Sequence, residues 1–291
     1  MKIVSKVAEM RSVLESNGRP LELSELEFSL ISKFILEKAG IDLNLKKMPL
    51  IKARLAGRIR MLGMKSYRQY LKHVKDDPTQ KELVRMIDKL TTNKTSFFRE
   101  VEHFDFIKEN ILRQRDLKKE PLRVWSAGCS SGQEPYSLTI LLKEEYRYLT
   151  KEDFQMLATD ISAEMVNKAR LGVYEEDTME DLPAAYMLKY FTKVAAPESR
   201  TKYKVRDDLK QHVRIARLNL ISEWPMKGPF DFILCRNVMI YFNRELRENL
   251  VHRYGKLLKP GGYLFIGLSE SIGGLLGELE YVQPAIYCKP Q

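Results

Sequence analysis

Leu122–Tyr136 reads LRVWSAGCSSGQEPY, a short β-prone run followed by a loop of small residues and the start of a helix. Gly128 and Gly132 allow the loop to turn sharply and bring its backbone close to a ligand. Pro135 suits the first turn of a helix, where its missing N–H group is not needed. A strand, a small-residue loop and a helix in this order form the nucleotide pockets of α/β proteins, at the carboxyl ends of the strands. The stretch therefore predicts an α/β domain with such a pocket.

The same loop argues against two common classes of nucleotide-binding protein. Its glycines do not have the Gly-x-Gly-x-x-Gly spacing of a dinucleotide fingerprint. It also lacks the Gly-Lys-Ser/Thr of a P-loop and offers no lysine to a phosphate. A nucleoside cofactor without phosphates fits this loop, and a tight turn without any ligand is the alternative.

Strand-like and helical segments alternate around this loop. We predict strands at 122–126, 154–159, 230–235 and 262–268, and helices at 101–113, 135–146, 162–170 and 244–258. This alternation indicates a mostly parallel, Rossmann-like sheet, with 281–289 returning as an antiparallel edge strand. Three short strand-like runs lack intervening helices and predict a small inserted antiparallel β-subdomain, at about 189–218: Tyr190–Val194, Tyr203–Arg206 and Val213–Leu218.

The amino-terminal third of the chain has a different pattern. Residues 1–20 are polar and without clear periodicity, and the following residues have apolar side chains at helical spacing. We predict helices at 25–39, 47–62, 67–74 and 80–90. The sequence thus divides into an all-helical domain at 1–90, a linker at 91–100 and an α/β domain at 101–291.

The net charge of +10 is concentrated in one place, because Leu43–Lys75 contains ten Lys and Arg residues and no Asp or Glu. Such a region favours an acidic partner. Lys47, Arg54 and Arg58 follow one edge of the second helix, and a merely solvated charged face is the alternative.

Composition also limits the class of protein. No window approaches 18 continuous apolar residues, so we expect no membrane insertion. The start of the chain has no apolar signal-peptide core. Three widely spaced cysteines indicate neither a disulfide framework nor a zinc site, and no metal is expected. These features fit a cytoplasmic protein, which we expect to be a monomer.

Polar residues follow the predicted strands where a pocket would open. Asp160 ends the second strand and could accept both ribose hydroxyls, or could cap the next helix. Arg236, Asn237 and Tyr241 follow an apolar strand and could lie over the pocket. Alternatively, this stretch is a capped helix start in which Tyr241 packs into the core. Asn219-Leu220 could meet an adenine edge. Arg99, in the linker, could point into the pocket or into solvent.

Methyl transfer from S-adenosylmethionine (SAM) suits these parts, because this cofactor has a ribose, an adenine and an amino-acid tail but no phosphate. A carboxylate acceptor is ionised at neutral pH, since its unperturbed pKa is about 4. It needs no general base, so the shortage of histidines is no objection. Alignment and desolvation of the acceptor would provide most of the catalysis.

The sequence resembles the CheR-type chemotaxis receptor methyltransferases from about Leu23 to Lys289. The resemblance rests on Thr91–Glu100, Trp125–Ser137, Ala158–Ile161 and Cys235–Phe242, supported by Leu258–Gly262 and Leu268–Glu270. It implies a protein-glutamate O-methyltransferase that forms methyl esters on chemoreceptors. It implies the following cofactor contacts: Asn93, Thr95, Arg99, Glu134, Asp160, Asn219, Leu220, Arg236 and Asn237. Arg99 and Tyr241 would lie nearest the transferred methyl group and orient the incoming glutamate, and the basic helix would dock on the receptor's acidic helical methylation region.

One feature departs from this resemblance, and two other functions stay open. Some family members have glycines in the β-subdomain that binds a receptor tether peptide, but the turn at 195–200 has none. A nucleic-acid methyltransferase would place the basic helix on phosphates. However, that helix edge has few aromatic residues for base stacking, so we expect no nucleic-acid partner. A non-catalytic SAM-binding adaptor is the other alternative.

Overall fold

The computed structural model describes residues 21–194, 201–274 and 276–291. These residues form two compact units. One contains the described residues up to Leu36 and Leu43–Leu90, and the other contains Glu37–Asp42 and the chain from Thr91 onward. The expectations for residues 1–20 and for the turn at 195–200 lie outside the described residues.

The first unit is helical. Its elements, in chain order, are α1 (Glu25–Ala39, whose last turn belongs to the second unit), a 3-10 turn (Leu45–Lys47), α2 (Met48–Met61), α3 (Tyr67–Asp76) and α4 (Lys81–Leu90). Ser66 caps α3, because its hydroxyl accepts the backbone N–H of Gln69 at 3.1 Å. Ile51, Leu55 and Ile59 of α2 are fully buried, as their helical spacing predicts. All four predicted helices are confirmed, with ends that differ by one or two residues.

The second unit is built on strands and helices. Its elements are α5 (Val101–Phe106), a π-helical continuation (Ile107–Leu112), β1 (Leu122–Ala127), α6 (Gln133–Glu145), β2 (Phe154–Asp160), α7 (Ala163–Leu171), β3 (Val173–Glu175), a 3-10 turn (Glu176–Met179), α8 (Ala184–Tyr190), β4 (Phe191–Val194), β5 (Lys202–Val205), α9 (Asp207–Lys210), β6 (Val213–Arg217), β7 (Phe230–Cys235), a 3-10 turn (Met239–Tyr241), α10 (Arg244–Leu257), β8 (Leu258–Ile266), β9 (Glu280–Gln283) and β10 (Ile286–Cys288).

Within the described residues, the main sheet has seven strands in the order β6-β2-β1-β7-β8-β10-β9. The first five strands are parallel, and β10 and β9 are antiparallel additions at the end. The chain leaves β1 toward β2 on one side and returns to β7 on the other, so the strand order reverses at β1. Ligands of open α/β sheets bind at such a reversal, at the carboxyl ends of the strands. The predicted Rossmann-like sheet is therefore confirmed.

Alternate residues of the central strands pack into different hydrophobic clusters. Trp125 and Ile233 pack with Tyr254 of α10 in one cluster, whereas Val124 and Phe232 belong to another. The second cluster contains residues of α5, its π-helical continuation and α6. Because side chains alternate between the faces of a strand, the two clusters cover opposite faces of the sheet. The central strands are buried almost throughout, which explains their nearly continuous apolar sequences.

The prediction that Val213–Leu218 belongs to the β-subdomain is wrong. Its residues form β6, which pairs in parallel with β2 at the edge of the main sheet. The small antiparallel sheet has the order β3-β5-β4 and includes Val173–Glu175, which was not predicted. β6 is an edge strand and therefore only half-buried, so its alternating sequence resembles that of a solvent-facing antiparallel strand.

The carboxyl-terminal prediction is also refined. The single expected edge strand at 281–289 is a hairpin in which β10 pairs with β8 and β9 forms the edge. No helix in the described ranges is both long and apolar enough to span a membrane.

Candidate functional site

A pocket in the second unit opens at the carboxyl ends of β1, β2 and β7. Its lining combines backbone and side chains from the β1–α6 loop, the end of β2 and the segment after β7. All nine residues predicted to contact a cofactor line it, and Tyr241 lines it as well. Their sequence positions extend from Asn93 to Asn237, so the fold gathers residues that are far apart along the chain.

The β1–α6 loop approaches other parts of the pocket closely through its backbone. The N–H groups of Gly128 and Cys129 both donate to the carbonyl oxygen of Thr159, at 2.7 and 2.9 Å. Gly128 has a φ of +96°, and a Cβ there would lie 2.3 Å from Cγ2 of Val238. Both the backbone angle and the lack of space require glycine here.

Asp160 lies at the end of β2 and holds the same loop. Its carboxylate accepts the backbone N–H groups of Ser130 and Ser162, each at 2.8 Å. The alternative role as a helix cap falls to Ser162, whose hydroxyl accepts the N–H of Met165. Asp160 is thus fixed at the pocket wall, and the helix start has its own cap.

Arg236 forms a buried ion cluster with two carboxylates. Its guanidinium lies 3.1 Å from Oε2 of Glu100 and 3.3 Å from Oε2 of Glu134, and its side chain is only 3% exposed. Ser126 also donates to Glu134 at 2.7 Å. Burial raises the pKa of Glu134, although Arg236 and Ser126 act in the opposite direction. Burial also acts to raise the pKa of Glu100, but the hydrogen bond from Asn237 and the charge of Arg236 outweigh it, so this pKa is lowered.

Arg99 has different partners. Its guanidinium donates to Oδ1 of Asn237 at 2.9 Å and to the carbonyl oxygen of Lys94 at 3.2 Å. Both acceptors are neutral, so these contacts orient the guanidinium without neutralising its charge. Tyr241 donates its hydroxyl to the carbonyl oxygen of Thr92 at 3.1 Å. The structure therefore places both predicted catalytic side chains on the lining of the same pocket.

Asn219 and Leu220 lie on another part of the lining. The amide of Asn219 donates to the carbonyl oxygen of Lys38 at 2.8 Å. Leu220 is 7% exposed and packs in the cluster that contains Trp125. Asn219 is thus held by the segment that ends α1, and Leu220 presents only a small apolar surface.

The residues that precede Arg99 are anchored to the glycine loop. The carbonyl oxygen of Asn93 accepts the hydroxyl of Ser130 at 2.9 Å, and Thr95 lies nearby on the lining. Phe97 is buried and packs edge-on to Tyr174 at a centroid distance of 5.1 Å. This packing fixes the segment 93–99 within the second unit, next to the β1–α6 loop and β3.

The three predicted docking residues lie in the helical unit. Arg58 donates two hydrogen bonds to Glu82, at 2.8 and 2.6 Å, and Glu82 is almost completely buried. These bonds from Arg58, together with weaker effects of Arg85 and Tyr70, lower the pKa of Glu82 to about 2 in spite of its burial. Arg54 donates to the carbonyl oxygen of Leu90 at 2.8 Å, and Lys47 lies in the 3-10 turn before α2. Arg58 therefore has a structural partner that the sequence pattern did not reveal.

Sequence reasoning missed two carboxylates. Glu100 binds Arg236 and Asn237, and Glu270 accepts backbone N–H groups from the segment that follows β7. Both lie in stretches of sequence on which the resemblance to CheR-type methyltransferases rests, Thr91–Glu100 and Leu268–Glu270. The resemblance assigned neither residue a role. In the described part of the chain, no group of three or more His, Cys, Asp or Glu side chains could hold a metal ion.

The parallel sheet, its strand-order reversal and this pocket define a nucleoside-binding α/β protein. Residues 26–91 match the CheR methyltransferase all-alpha domain, and residues 93–288 match the CheR methyltransferase SAM binding domain. The chain therefore belongs to the CheR methyltransferase family, and its cofactor is SAM.

Known relatives match along most of their length. A chemotaxis protein methyltransferase of Borreliella burgdorferi is 39% identical over 277 residues, which cover 92% of this chain and 96% of the relative. One of Escherichia coli is 36% identical over 265 residues, covering 91% of each chain. A solved SAM-dependent methyltransferase from Methanosarcina mazei aligns with 59% of this chain and 57% of its own, at 14% identity and a TM-score of 0.31, which carries no weight for function.

The pocket fits SAM in its chemistry. Asp160 offers a fixed carboxylate, which is a suitable acceptor for ribose hydroxyl groups. Glu134 is a buried carboxylate whose pKa is raised by that burial. A cationic ammonium group, such as that of the cofactor's amino-acid tail, would stabilise its ionised form.

Proposed function

We propose that this protein transfers the methyl group of SAM to glutamate side chains of chemotaxis receptors and so forms methyl esters. Membership of the CheR methyltransferase family and the names of the relatives support this activity. The chemistry of the pocket supports the carboxylate acceptor, and the names of the relatives support chemotaxis receptors as its source.

The different partners of two arginines are the main support from the structure. Arg236 is surrounded by Glu100 and Glu134, so its charge is compensated inside the protein. Arg99 donates its hydrogen bonds to neutral oxygens of the same pocket, and its charge also acts on Glu134. An anionic acceptor that approaches a pocket with the carboxylates of Asp160 and Glu134 needs such a cation. Arg99 is therefore the side chain that we assign to the acceptor carboxylate.

The roles of the other residues follow from their positions. SAM, when bound, supplies a methyl group on a positively charged sulfur. Asp160 and Glu134 would hold polar groups of the cofactor, and Asn219 and Leu220 would contact its base. Asn93, Thr95, Arg236 and Asn237 would complete the wall of the pocket. Arg99 and Tyr241 would orient the acceptor, which contributes to the rate by alignment.

No proton-accepting side chain is required for this reaction. A glutamate carboxylate is already ionised at neutral pH, since its unperturbed pKa is about 4.3. Among the described residues that line the pocket there is no histidine. His103 is 1% exposed, and burial together with the nearby Arg236 lowers its pKa to about 4. The site therefore suits an acceptor that carries no proton.

We also propose that the basic helical unit binds an acidic helical region of the receptor. The ten basic residues in Leu43–Lys75 support this binding by their charge. Lys47 and Arg54 are retained as docking residues. Arg58 is a weaker candidate, because its guanidinium already binds Glu82. A cytoplasmic location and a monomeric state stay predictions from the sequence.

Methyl-labelled SAM can test the substrate. The protein is incubated with labelled SAM and either receptor-containing membranes or RNA, and the product is then treated with mild base. We expect protein-bound label that base releases, as an ester requires, and less label with Arg99→Ala. Stable label in RNA would support the nucleic-acid alternative, whereas SAM binding without transfer to any acceptor would support an adaptor.

A further inference from the structure

Glu270 holds together the loops that follow two neighbouring strands, although it is not among the residues that line the pocket. Its Oε2 accepts the backbone N–H groups of Asn237 at 2.7 Å and of Gly267 at 2.6 Å. Its Oε1 accepts the N–H of Ile240 at 3.1 Å. One carboxylate thus joins the chain after β7 to the chain after β8, at the edge of the sheet where the pocket opens.

The backbone that Glu270 holds has an unfavourable conformation. Asn237 has a φ of +59°, in the left-handed region that residues with side chains seldom adopt. Gly267 lies so close that a Cβ there would be 2.9 Å from the backbone nitrogen of Asn237. Asparagine adopts this region more readily than most residues, and neighbouring groups help to hold it there. The hydrogen bond between Glu270 and the Asn237 backbone provides this support.

Asn237 transmits this constraint to Arg99. Its Oδ1 accepts a hydrogen bond from the guanidinium of Arg99 at 2.9 Å, and its Nδ2 donates to Glu100 at 3.1 Å. Ile240, the third residue that Glu270 binds, directly precedes Tyr241. Both side chains that we assign to the acceptor therefore depend on the backbone that Glu270 fixes.

We propose that Glu270 is a positioning residue for methyl transfer, whose carboxylate fixes residues 237–241 so that Arg99 and Tyr241 are aligned with the acceptor. This inference rests on the proposed function. Only an ionised carboxylate accepts all three N–H groups with both oxygens. Glutamine has nearly the same shape but a single acceptor oxygen, so it can satisfy one side of the arrangement and leaves an NH₂ group facing a backbone N–H on the other.

Glu270→Gln is the main variant, and Glu278→Gln is its matched control because it removes an exposed carboxylate from the same segment. We expect Glu270→Gln to lower kcat on the order of 10- to 100-fold, the effect of losing one or two charge-assisted hydrogen bonds. The dissociation constant for S-adenosylhomocysteine should rise by a smaller factor than kcat falls, because Asn237 is one cofactor contact among several and the others do not depend on Glu270. A kcat equal to that of the control would overturn the proposal.

A double-mutant cycle separates positioning from general stability. Asn237→Gly removes the side chain that contacts Arg99, while glycine tolerates the positive φ at this position. Because Glu270 acts partly through Asn237, Glu270→Gln should lower kcat by a clearly smaller factor in the Asn237→Gly background than in wild type, and the remaining effect is that on Tyr241 through Ile240. Fully multiplicative losses would contradict the proposal, since a purely structural role acts independently of the Arg99 contact.

A crystal structure of the Glu270→Gln protein decides the inference even if the acceptor assignment is wrong. We expect a changed φ at Asn237 and loss of its contact with Arg99. An unchanged contact would overturn the inference whatever the substrate is. Wild-type protein that methylates no carboxylate would instead refute the proposed function, so the two failures are distinguishable.

Discussion

Replacing Arg58 by methionine should destabilise the helical unit, whatever its effect on receptor docking. Arg58 and Glu82 form a buried pair with side-chain exposures of 15% and 4%. Tyr70 donates to the same carboxylate at 3.1 Å. Arg58→Met would remove two hydrogen bonds and one of two cations from Glu82, which would keep Arg85 at 3.2 Å and Tyr70 as partners. Weakening the compensation of a buried charge is costly.

The pKa of Glu82 gives the size of this effect. Hydrogen bonds from Arg58, Arg85 and Tyr70 lower it to about 2, against an ordinary value of 4.5, and Arg58 has the largest effect. Each pKa unit corresponds to about 1.4 kcal/mol, so the ionised carboxylate contributes roughly 3 kcal/mol to the folded state. Because the folded pKa is below the unfolded one, this contribution is complete above pH 4.5 and is lost as the pH falls toward 2. Because Arg85 and Tyr70 retain part of this contribution and Arg58 is partly exposed, we expect Arg58→Met to lose about 1–2 kcal/mol at pH 7.

Hydrogen exchange measured by mass spectrometry on the whole chain can test this value. Peptides from α2 and α4 should lose protection in Arg58→Met, whereas peptides from β1 and β7 should not change. Arg60→Met, which removes an exposed arginine from the same helix, serves as the control. After correction for intrinsic exchange rates, wild-type α4 should also lose protection between pH 5 and pH 3. If Arg58→Met retains the protection of the control, the structural role of the pair is refuted.

Arg54 provides a separate probe of docking. Its guanidinium donates a hydrogen bond to the carbonyl oxygen of Leu90 at 2.8 Å. Arg54→Gln should raise the KM for receptor several-fold at nearly constant kcat, which is the signature of lost uniform binding. An unchanged KM would return this helix edge to the solvated-face alternative.

Three further predictions concern the pocket. Asp160→Ala should raise the dissociation constant of S-adenosylhomocysteine by about 100-fold or more in calorimetry. It removes the proposed ribose contact and leaves two backbone N–H groups without their acceptor. Binding within threefold of wild type would contradict this role. Arg99→Ala and Tyr241→Phe should each lower kcat on the order of 10- to 100-fold while cofactor binding changes little, and equal losses in both quantities would refute their assignment to the acceptor. Gly128→Ala should weaken cofactor binding, because its Cβ would clash with the Val238 side chain. Adding Val238→Ala should restore binding only in part, because about 1–2 kcal/mol of strain from the positive φ would remain. Full restoration would show that only the clash with Val238 matters.

The sequence predicted the central strands well, because each is buried on both faces and has an almost continuous apolar run. Its main error, at Val213–Leu218, arose at the edge of the sheet. A half-buried edge strand has alternating polar and apolar residues in either kind of sheet, and its partner β2 lies more than fifty residues earlier in the chain. β3 has only three residues, which is too short for a periodic signal. Local pattern therefore determined the elements, and long-range pairing determined which sheet they joined.

The residues of the candidate site also divide into those that the sequence could predict and those that it could not. Asp160 and Arg236 could be predicted, because they lie at the ends of strands whose carboxyl ends meet at one edge of the sheet. Glu100 and Glu270 could not, because their roles depend on partners 136 and 33 residues away, in Arg236 and Asn237. Whether an arginine is compensated by a carboxylate is a property of such distant contacts, and no spacing rule reveals it.

This difference in compensation bears on how one pocket can hold both a cationic cofactor and an anionic acceptor. Asp160 and Glu134 supply negative charge that favours a sulfonium compound and opposes a carboxylate. Arg236 is compensated by its own ion pairs, so it limits the excess of negative charge without providing a second anion site. Arg99 remains as a cation held by neutral oxygens. The acceptor carboxylate is thereby directed to one position on the lining, and the rate should depend on how rigidly Asn237, itself held by Glu270, fixes that guanidinium.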